Sequence, residues 1–198
     1  MNELFEGPAV EPEARLSEWI EAARLAGVPE PTAMCLCTAG ASGIPSARMV
    51  LMRGVDRRGL RFYTSYFSPK ARELAENPHV AAVFYWPQTQ RQVRVVGPAS
   101  QLSEDESDEY FESRPRGHRL AAWASEQSAP LESRAALEAR FAHFAERFGD
   151  DVPRPHSWGG YLIAPVQFEF WQARPDRMHD RLRYVRAGTG WQTSRLQP

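Results

Sequence analysis

The sequence predicts a mainly β protein with added helices, in which short antiparallel strands form a closed or partly closed barrel. From Ala33 onward, short apolar segments alternate with turn residues, as in AMCLCT, AGASG and SARMVLM, which is the pattern of a β-meander. Before the meander, apolar residues recur at helical spacing between Glu13 and Gly27, and the final glycine is typical of a helix C-cap. The few other helical segments interrupt the strands, so we expect them to lie on the barrel.

Local signals place these elements in order. Pro69 after Ser68 starts a short helix, and Ser103 with Glu106 forms a capping box for a helix that runs to about Phe111. A longer helix follows Pro130 and carries four large apolar residues on one face, which we expect to be core or interface: Leu137, Phe141, Phe144 and Phe148. The predicted strands are AMCLCT, SARMVLM, LRFYTS, HVAAVFYW, RQVRVVG, WGGYLIA, VQFEFWQ, RLRYVR and WQTSRL, the last two joined by the turn AGTG.

Composition limits the class of protein. A chain of 198 residues with 42% hydrophobic and 25% charged residues is expected to be one domain spanning 1–198, with 1–30 as a helical segment packed on it. A net charge of −1 argues against nucleic-acid binding. No apolar run approaches the ~20 residues of a membrane span, and no signal peptide is recognisable, so we expect a cytoplasmic protein without a membrane partner. Cys35 and Cys37 have the spacing of neither a disulfide nor a zinc site, and we expect both to be buried.

Common ligand-binding motifs are absent from the sequence. It contains no GxGxxG, GxxxxGK[ST], HExxH or GxSxG string, which argues against a Rossmann or Walker phosphate site and against zinc or serine hydrolase chemistry. Four histidines lie among residues that are not metal ligands, so we expect no metal: His79, His118, His143 and His156.

Two basic features carry a functional hypothesis. Lys70 is the sole lysine and lies in the first turn of its predicted helix, where a bound phosphate would offset an unfavourable dipole interaction. A solvated lysine is the alternative. In RMHDR, an extended chain would place Arg177, His179 and Arg181 on one face, where three basic groups favour an anion or an electron-rich ring. Surface ion pairs with carboxylates such as Glu169 are the alternative there.

Strings along the chain resemble one known family. Ten strings occur in the order seen in pyridoxine (pyridoxamine) 5'-phosphate oxidases, from about Pro31 to the C-terminus: PTAMCLCT, SARMVLM, FYTS, RQVRVVG, YFESRPR, WASEQS, HSWGGY, FEFWQ, RMHDRLRY and the terminal RLQP. The resemblance implies an FMN-binding split β-barrel that works as a homodimer, with FMN in the cleft between subunits. It also implies oxidation of pyridoxine or pyridoxamine 5'-phosphate to pyridoxal 5'-phosphate, with dioxygen as the acceptor and hydrogen peroxide as a product.

The same resemblance implies roles for individual residues. Lys70 and Arg48 would hold the flavin phosphate, and the full set of FMN contacts would be Arg48, Met49, Val50, Leu51, Met52, Arg53, Tyr63, Thr64, Lys70, Gln92, Gln127, Ser128, Trp171 and Arg181. The substrate would be bound by Arg53, Tyr110, Arg114, Arg177, Met178 and His179. Arg177 and His179 would be the catalytic residues, acting by orientation and charge stabilisation.

Several positions depart from the family pattern. Arg53 stands where lysine is usual, Pro69 replaces an arginine, and His118 replaces a serine that touches the substrate phosphate. The segment before Pro31 is also short and lacks a basic arm. These departures leave open a related FMN oxidase of phenazine biosynthesis, and a non-catalytic flavin-binding or heme-binding split-barrel protein is a further alternative.

Overall fold

The computed structural model describes residues 10–198, and within this range the chain forms ten β-strands and five α-helices. In chain order they are α1 (Pro12–Leu25), β1 (Ala33–Ala39), β2 (Pro45–Leu51), β3 (Gly54–Asp56), β4 (Gly59–Ser65), α2 (Pro69–Glu76), β5 (His79–Trp86), β6 (Arg91–Gln101), α3 (Glu104–Glu112), α4 (Arg116–Ala124), α5 (Arg134–Phe148), β7 (Trp158–Ile163), β8 (Gln167–Gln172), β9 (Asp180–Ala187) and β10 (Gly190–Arg195). A single 3-10 turn, Pro175–Arg177, lies between β8 and β9. Part of the predicted 1–30 segment, residues 1–9, lies outside the described residues.

One curled antiparallel sheet contains all ten strands. Its main path runs β10-β9-β8-β6-β5-β1-β2, and β7, β4 and β3 continue from the second half of β6. The long strand β6 pairs with β8 through residues 91–96 and with β7 through residues 99–101, so it belongs to both parts of the sheet. Gly97 lies between these two pairings, and a Cβ atom there would be only 2.1 Å from the carbonyl oxygen of Ala164, so no larger residue fits without a backbone shift.

The core lies on the concave side of the sheet. Along β1, β4 and β5, buried residues alternate with more exposed ones, as the period of two requires, and aromatic rings such as Phe62, Phe84 and Phe168 are fully buried in the core. Helix α1 closes one side, because Trp19 packs edge-on against Phe170 with ring centroids 5.2 Å apart. The N-terminal helix is therefore packed on the sheet through buried aromatic contacts.

Most predicted elements are present. The mainly β fold with added helices is confirmed, and the capping box at Ser103 and Glu106 forms in both directions. Pro69 occupies the first turn of α2 as predicted. The last two strands are joined through Gly188, whose φ of +58° suits the tight turn.

Two elements were not predicted, and two expectations were wrong in detail. Helix α4, which begins immediately after Pro115, and the short strand β3 are absent from the elements that the sequence predicts. Cys35 and Cys37 are only half-buried, because their neighbours in β1 take the inward positions and leave both thiols on the outer face. The segment from Arg177 to His179 is not extended, since Asp176 and Arg177 adopt left-handed φ values of 55° and 60°.

The aromatic face of α5 lies outside the barrel core. Phe144 and Phe148 pack against Trp123 of α4, with ring centroids 5.6 and 4.8 Å apart, and Phe141 is 36% exposed. Helices α4 and α5 therefore form a small aromatic cluster of their own. Among residues 10–198, no helix is both long and apolar enough to cross a bilayer.

Candidate functional site

A cavity of about 740 Å³ opens beside β2, β4 and the N-terminal ends of α2 and α4. Its lining brings together residues that are far apart in the sequence: Arg48, Met49, Val50, Leu51, Arg53, Tyr63, Thr64, Lys70, Tyr110, Ser113, Arg114, Pro115, His118, Gln127, Ser128 and Trp158. Four of these side chains are arginine or lysine, and none is aspartate or glutamate. The cavity therefore favours anionic ligands.

Lys70 forms the most buried cationic part of this cavity. Its side chain is 6% exposed, and Nζ donates hydrogen bonds to Thr64 Oγ1 at 3.1 Å and to Gln127 Oε1 at 3.3 Å. Both partners are neutral. Burial and the nearby Arg48 lower the pKa of Lys70 to about 8, against a smaller opposite effect of Glu73. A bound anion would supply the counter-charge that these neutral partners do not.

Arg48 is held next to Lys70 by a polar network from β1 and α2. Its Nη2 atom lies 3.2 Å from Glu73 Oε2, and its guanidinium also donates to the hydroxyls of Thr38 and Ser46. Burial alone would raise the pKa of Glu73, but hydrogen bonds from these same hydroxyls and from Arg48 lower it overall. Glu73 therefore stays ionised and fixes the direction of Arg48.

A stack of aromatic rings supports a second cationic group. Tyr63 and Tyr110 stack with ring centroids 3.8 Å apart, and Trp158 continues the stack 5.6 Å from Tyr63. The guanidinium carbon of Arg114 lies 4.4 Å from the centroid of Trp158, a cation–π contact. Burial and the nearby Arg53 lower the pKa of Arg114.

Arg114 has an unpartnered polar atom on the side of the cavity that carries this aromatic stack. Its Nη1 atom is buried and has no hydrogen-bond partner among the described residues. Because an orphaned buried donor is costly, this atom favours an acceptor from a ligand. The cavity thus contains two pairs of mutually repelling cations, Lys70 with Arg48 and Arg114 with Arg53.

A second group of predicted residues lies outside this cavity, on the outer face of the sheet. Gln92, Trp171 and Arg181 occupy matching positions on the neighbouring strands β6, β8 and β9. They form a lateral row across the sheet, and none of them lines the cavity described above. Within one chain, the predicted contacts therefore fall into two separate half-sites.

The remaining predicted residues lie on the connection between β8 and β9. His179 packs against Trp171 with ring centroids 4.6 Å apart, and its Nδ1 accepts a hydrogen bond from the backbone N–H of Arg174 at 3.2 Å. Arg177 and Met178 are exposed in the left-handed turn that precedes it. The connection thus belongs to the outer half-site, together with Gln92, Trp171 and Arg181.

Apolar side chains continue this outer face toward β1 and β2. Val83 of β5 lies between Cys35 of β1 and Arg94 of β6, and Tyr85 on the same face is 58% exposed. Met49 of β2 is 64% exposed beside Cys35. In the described chain, nothing covers this surface, and such an apolar patch is typical of a protein interface.

The cavity contains twelve of the predicted contact residues together with four others. Met52 does not line it and is 5% exposed in the core. The sequence did not single out Ser113, Pro115 or Trp158, although they lie in the strings YFESRPR and HSWGGY; His118 stood out as a departure from the family pattern.

The curled sheet and the cavity define the chain as a split-barrel protein with a cationic cleft. Comparisons with known proteins agree. Residues 20–148 match the family described as pyridoxamine 5'-phosphate oxidase, and residues 158–198 match the pyridoxine 5'-phosphate oxidase C-terminal dimerisation region. The chain therefore belongs to the pyridoxine/pyridoxamine 5'-phosphate oxidase family and is an enzyme of the oxidoreductase class.

Individual relatives cover nearly the whole chain. The pyridoxine/pyridoxamine 5'-phosphate oxidase of Burkholderia multivorans is 53% identical over 96% of this chain and 90% of its own length. The enzyme of the same name from Rubrobacter xylanophilus is 53% identical over 98% of this chain and 89% of its own length.

Solved structures show the same fold. PhzG of Burkholderia lata, solved with tetrahydrophenazine-1-carboxylic acid, superimposes with a TM-score of 0.91 at 39% identity, covering 96% of this chain and 94% of its own. A pyridoxamine 5'-phosphate oxidase-related, FMN-binding protein of Nostoc punctiforme gives a TM-score of 0.77 at 20% identity, covering 96% of this chain and 100% of its own.

Proposed function

We propose that this chain is an FMN-dependent oxidase that converts pyridoxine or pyridoxamine 5'-phosphate to pyridoxal 5'-phosphate, with dioxygen as the acceptor and hydrogen peroxide as a product. One observation carries the proposal: a single cavity holds two pairs of cations, and both the cofactor and the substrate carry a phosphate. The names of the curated relatives support the same substrate class.

The residues around Lys70 fit the phosphate of FMN. Lys70 and Arg48 repel each other, and the hydrogen-bond partners of Lys70 are neutral, so a phosphate between the two would relieve an existing electrostatic cost. Residues 48–51 of β2, together with Arg53, Tyr63, Thr64, Gln127 and Ser128, would contact the rest of the cofactor. When bound, FMN supplies the hydride acceptor and the reaction with dioxygen.

The wall formed by Arg114, Tyr110 and Arg53 fits the phosphate of the substrate. Arg114 is already oriented by its contact with Trp158 and has the orphaned donor Nη1, so it needs little rearrangement to bind an anion. Arg53 adds a second guanidinium, which can bind a phosphate oxygen pair in a bidentate manner.

A homodimer would complete the site. Six residues expected at the flavin ring and the pyridine ring lie outside the cavity of their own chain, on or next to the uncovered face: Gln92, Trp171, Arg181, Arg177, Met178 and His179. A two-fold interface on this face would let one chain supply the cavity and its partner supply these residues. The match of residues 158–198 to a dimerisation region supports this arrangement. In the completed site, Arg177 and His179 would orient the pyridine ring and stabilise developing charge, and Met178 would contact it.

The likeness to PhzG favours one second candidate, an FMN oxidase that acts on a tricyclic phenazine precursor. The two candidates differ in what the basic wall must bind. A tricyclic carboxylate has no phosphate to occupy Arg114 and Arg53, whereas a B6 phosphate has one.

Reduction of the bound cofactor separates the candidates. Purified protein is loaded with FMN, made anaerobic and mixed with pyridoxamine 5'-phosphate or with a reduced phenazine carboxylic acid, while flavin absorbance is recorded. We expect bleaching with pyridoxamine 5'-phosphate, then recovery of the yellow colour and release of hydrogen peroxide when oxygen is admitted. Bleaching only by the tricyclic compound would favour the second candidate, and no bleaching by either would favour a non-catalytic flavin carrier.

A further inference from the structure

Glu169 is a buried carboxylate on the outer face of the sheet. It lies in the middle of β8 and is 4% exposed, although the same face carries half-buried and exposed residues on both sides of it. Its cross-strand neighbours are both arginines, Arg94 on β6 and Arg183 on β9. A carboxylate seldom takes such a position unless other groups hold it there.

Glu169 binds two arginines at once. Its Oε1 atom accepts a hydrogen bond from Arg181 Nε at 2.8 Å and forms an ion pair with Arg181 Nη2, also at 2.8 Å, and its Oε2 atom accepts from Arg94 Nη1 at 3.1 Å. The contact with Arg181 uses two nitrogens of the guanidinium. It therefore fixes the plane of that group as well as its position.

The third nitrogen of Arg181 is also engaged. Its Nη1 atom donates to the backbone carbonyl of Gln197 at 2.8 Å, in the tail that follows β10, and the N–H of Leu196 donates to the carbonyl of Arg181 at 3.0 Å. Arg181 is thus held by a side chain on one strand and by the C-terminal tail. By contrast, Arg177 on the neighbouring turn is exposed.

Stability alone is a weak reason for this arrangement. Removing a carboxylate and a guanidinium from water is unfavourable, and well-packed apolar replacements of a buried ion pair are often at least as stable. Here the paired arginine lies beside Trp171, in the row assigned above to the flavin ring. An arginine held rigidly at that point needs no reorganisation when the cofactor binds.

We propose that Glu169 is a positioning residue of the cofactor site, which acts through Arg181: it orients the guanidinium toward the flavin ring and offsets part of the positive charge of Arg94, Arg181 and Arg183. The inference rests on the proposed function, since it requires FMN at this face. It adds to that function a residue that does not itself touch the cofactor and a role for the C-terminal tail.

The test compares FMN binding and flavin potential in four homodimeric proteins and the wild type. The variants are Glu169→Gln, Arg181→Gln, the double variant and the control Glu138→Gln, which removes a carboxylate from an exposed pair with Arg134. We expect each of the first two to weaken FMN binding roughly tenfold or more, as loss of a supporting contact does at bound metals. The double variant should be within about twofold of Arg181→Gln alone, because Glu169 acts through that residue. Glu138→Gln should match the wild type.

The midpoint potential of bound FMN provides a readout that simple structural damage would not reproduce. It should become more positive in Glu169→Gln, which removes a negative charge, and more negative in Arg181→Gln, which removes a positive one. If Glu169→Gln fails to fold, Glu169→Asp is the second variant, because it keeps the negative charge but shortens the side chain and moves the carboxylate away from Arg181. It should weaken FMN binding with little change in the midpoint potential.

Two results lead to different conclusions. If Arg181→Gln weakens FMN binding while Glu169→Gln and Glu169→Asp leave both affinity and potential at the wild-type values, the inference about Glu169 is overturned and the proposed function stands. If Arg181→Gln also leaves FMN binding unchanged, the assignment of this face to the cofactor fails, and with it the basis of the inference.

Discussion

The ammonium group of Lys70 donates a hydrogen bond to the hydroxyl oxygen of Thr64 at 3.1 Å, inside a cavity whose lining contains no carboxylate. The sole lysine of the chain is thus buried with neutral partners and beside a second cation, Arg48. The arrangement is unfavourable for the ligand-free protein and becomes favourable when a phosphate enters.

Replacement of Lys70 by methionine should raise the stability of the FMN-free protein and weaken FMN binding. We expect Lys70→Met to stabilise the FMN-free protein at pH 7, on the order of 1–3 kcal/mol, because it removes a buried cation whose pKa is lowered. Thr64 keeps its own hydrogen bond to Gln127 at 2.8 Å, so no new orphan is created. Denaturant unfolding measures the first effect, and fluorescence titration with FMN should show strong loss of binding. A destabilised variant with intact FMN affinity would contradict this account.

FMN affinity should depend on pH through Lys70. In the free protein its pKa is lowered to about 8, and a bound phosphate raises it again, so binding takes up a proton above that pH. The dissociation constant should therefore be lowest below pH 8 and rise above it, by at most about tenfold per pH unit. Lys70→Arg is the matched control, since arginine keeps its charge and should flatten this rise. An equal rise of the dissociation constant in both proteins would show that a group other than Lys70 causes the pH dependence.

The same lowered pKa predicts how the ligand-free protein responds to alkali. The pKa of Lys70 is about 8 in the folded chain and about 10.5 in the unfolded chain, so the unfolded chain binds more protons between these values. The Lys70 contribution to the free energy of unfolding should therefore increase as pH rises through this interval. Denaturant titrations of wild type and Lys70→Met should converge toward pH 10.5. A constant difference between them would show that the buried cation is not its cause.

Arg114 should act on substrate affinity. We expect Arg114→Ala to raise KM for pyridoxamine 5'-phosphate roughly ten- to a hundredfold, because a charge-assisted contact contributes about 1.5–3 kcal/mol. FMN affinity should change little, since the first pair of cations remains. The exposed Arg134→Ala is a suitable control, and steady-state kinetics measures all three proteins. An unchanged KM in Arg114→Ala would show that the substrate phosphate does not bind at Arg114.

The outer face of the sheet should be the dimer interface. Val83→Arg places a charge among half-buried apolar residues beside Arg94, so it should shift the protein toward monomer in analytical ultracentrifugation and lower FMN occupancy in parallel. Leu25→Arg, at a position that is 73% exposed at the end of α1, should stay dimeric and yellow. If Val83→Arg remains dimeric, the interface lies on another surface.

Local signals in the sequence were sufficient for much of the fold. The capping box at Ser103, Pro69 at the start of α2 and the alternation of the strands each depend on neighbouring residues, so they can be recognised without tertiary information. Helix α4 was missed because a proline after a helix usually marks an end, whereas Pro115 is the N-cap residue of a new helix.

Prediction of the candidate site also required the resemblance to a known family. Lys70 could be singled out by its position in a helix, but its grouping with Arg114 and Gln127 depends on contacts between distant segments. Periodicity does not predict the left-handed turn at Asp176 and Arg177 or the burial of Glu169, since both are set by the packing around them. The division of the predicted contacts into two half-sites also emerges only in three dimensions.

Subunit complementation tests the central claim most directly, namely that each site combines the Lys70 cavity of one chain with the Arg181 face of another. Lys70→Met and Arg181→Gln homodimers should each bind FMN poorly and turn over slowly. When the two variants are co-expressed and purified together, half of the dimers should be mixed, and each mixed dimer contains one intact site. We therefore expect FMN binding and oxidase activity to recover to about one quarter of the wild-type level. If the mixed sample stays as inactive as its parents, the site is not shared between two chains, and the account is wrong.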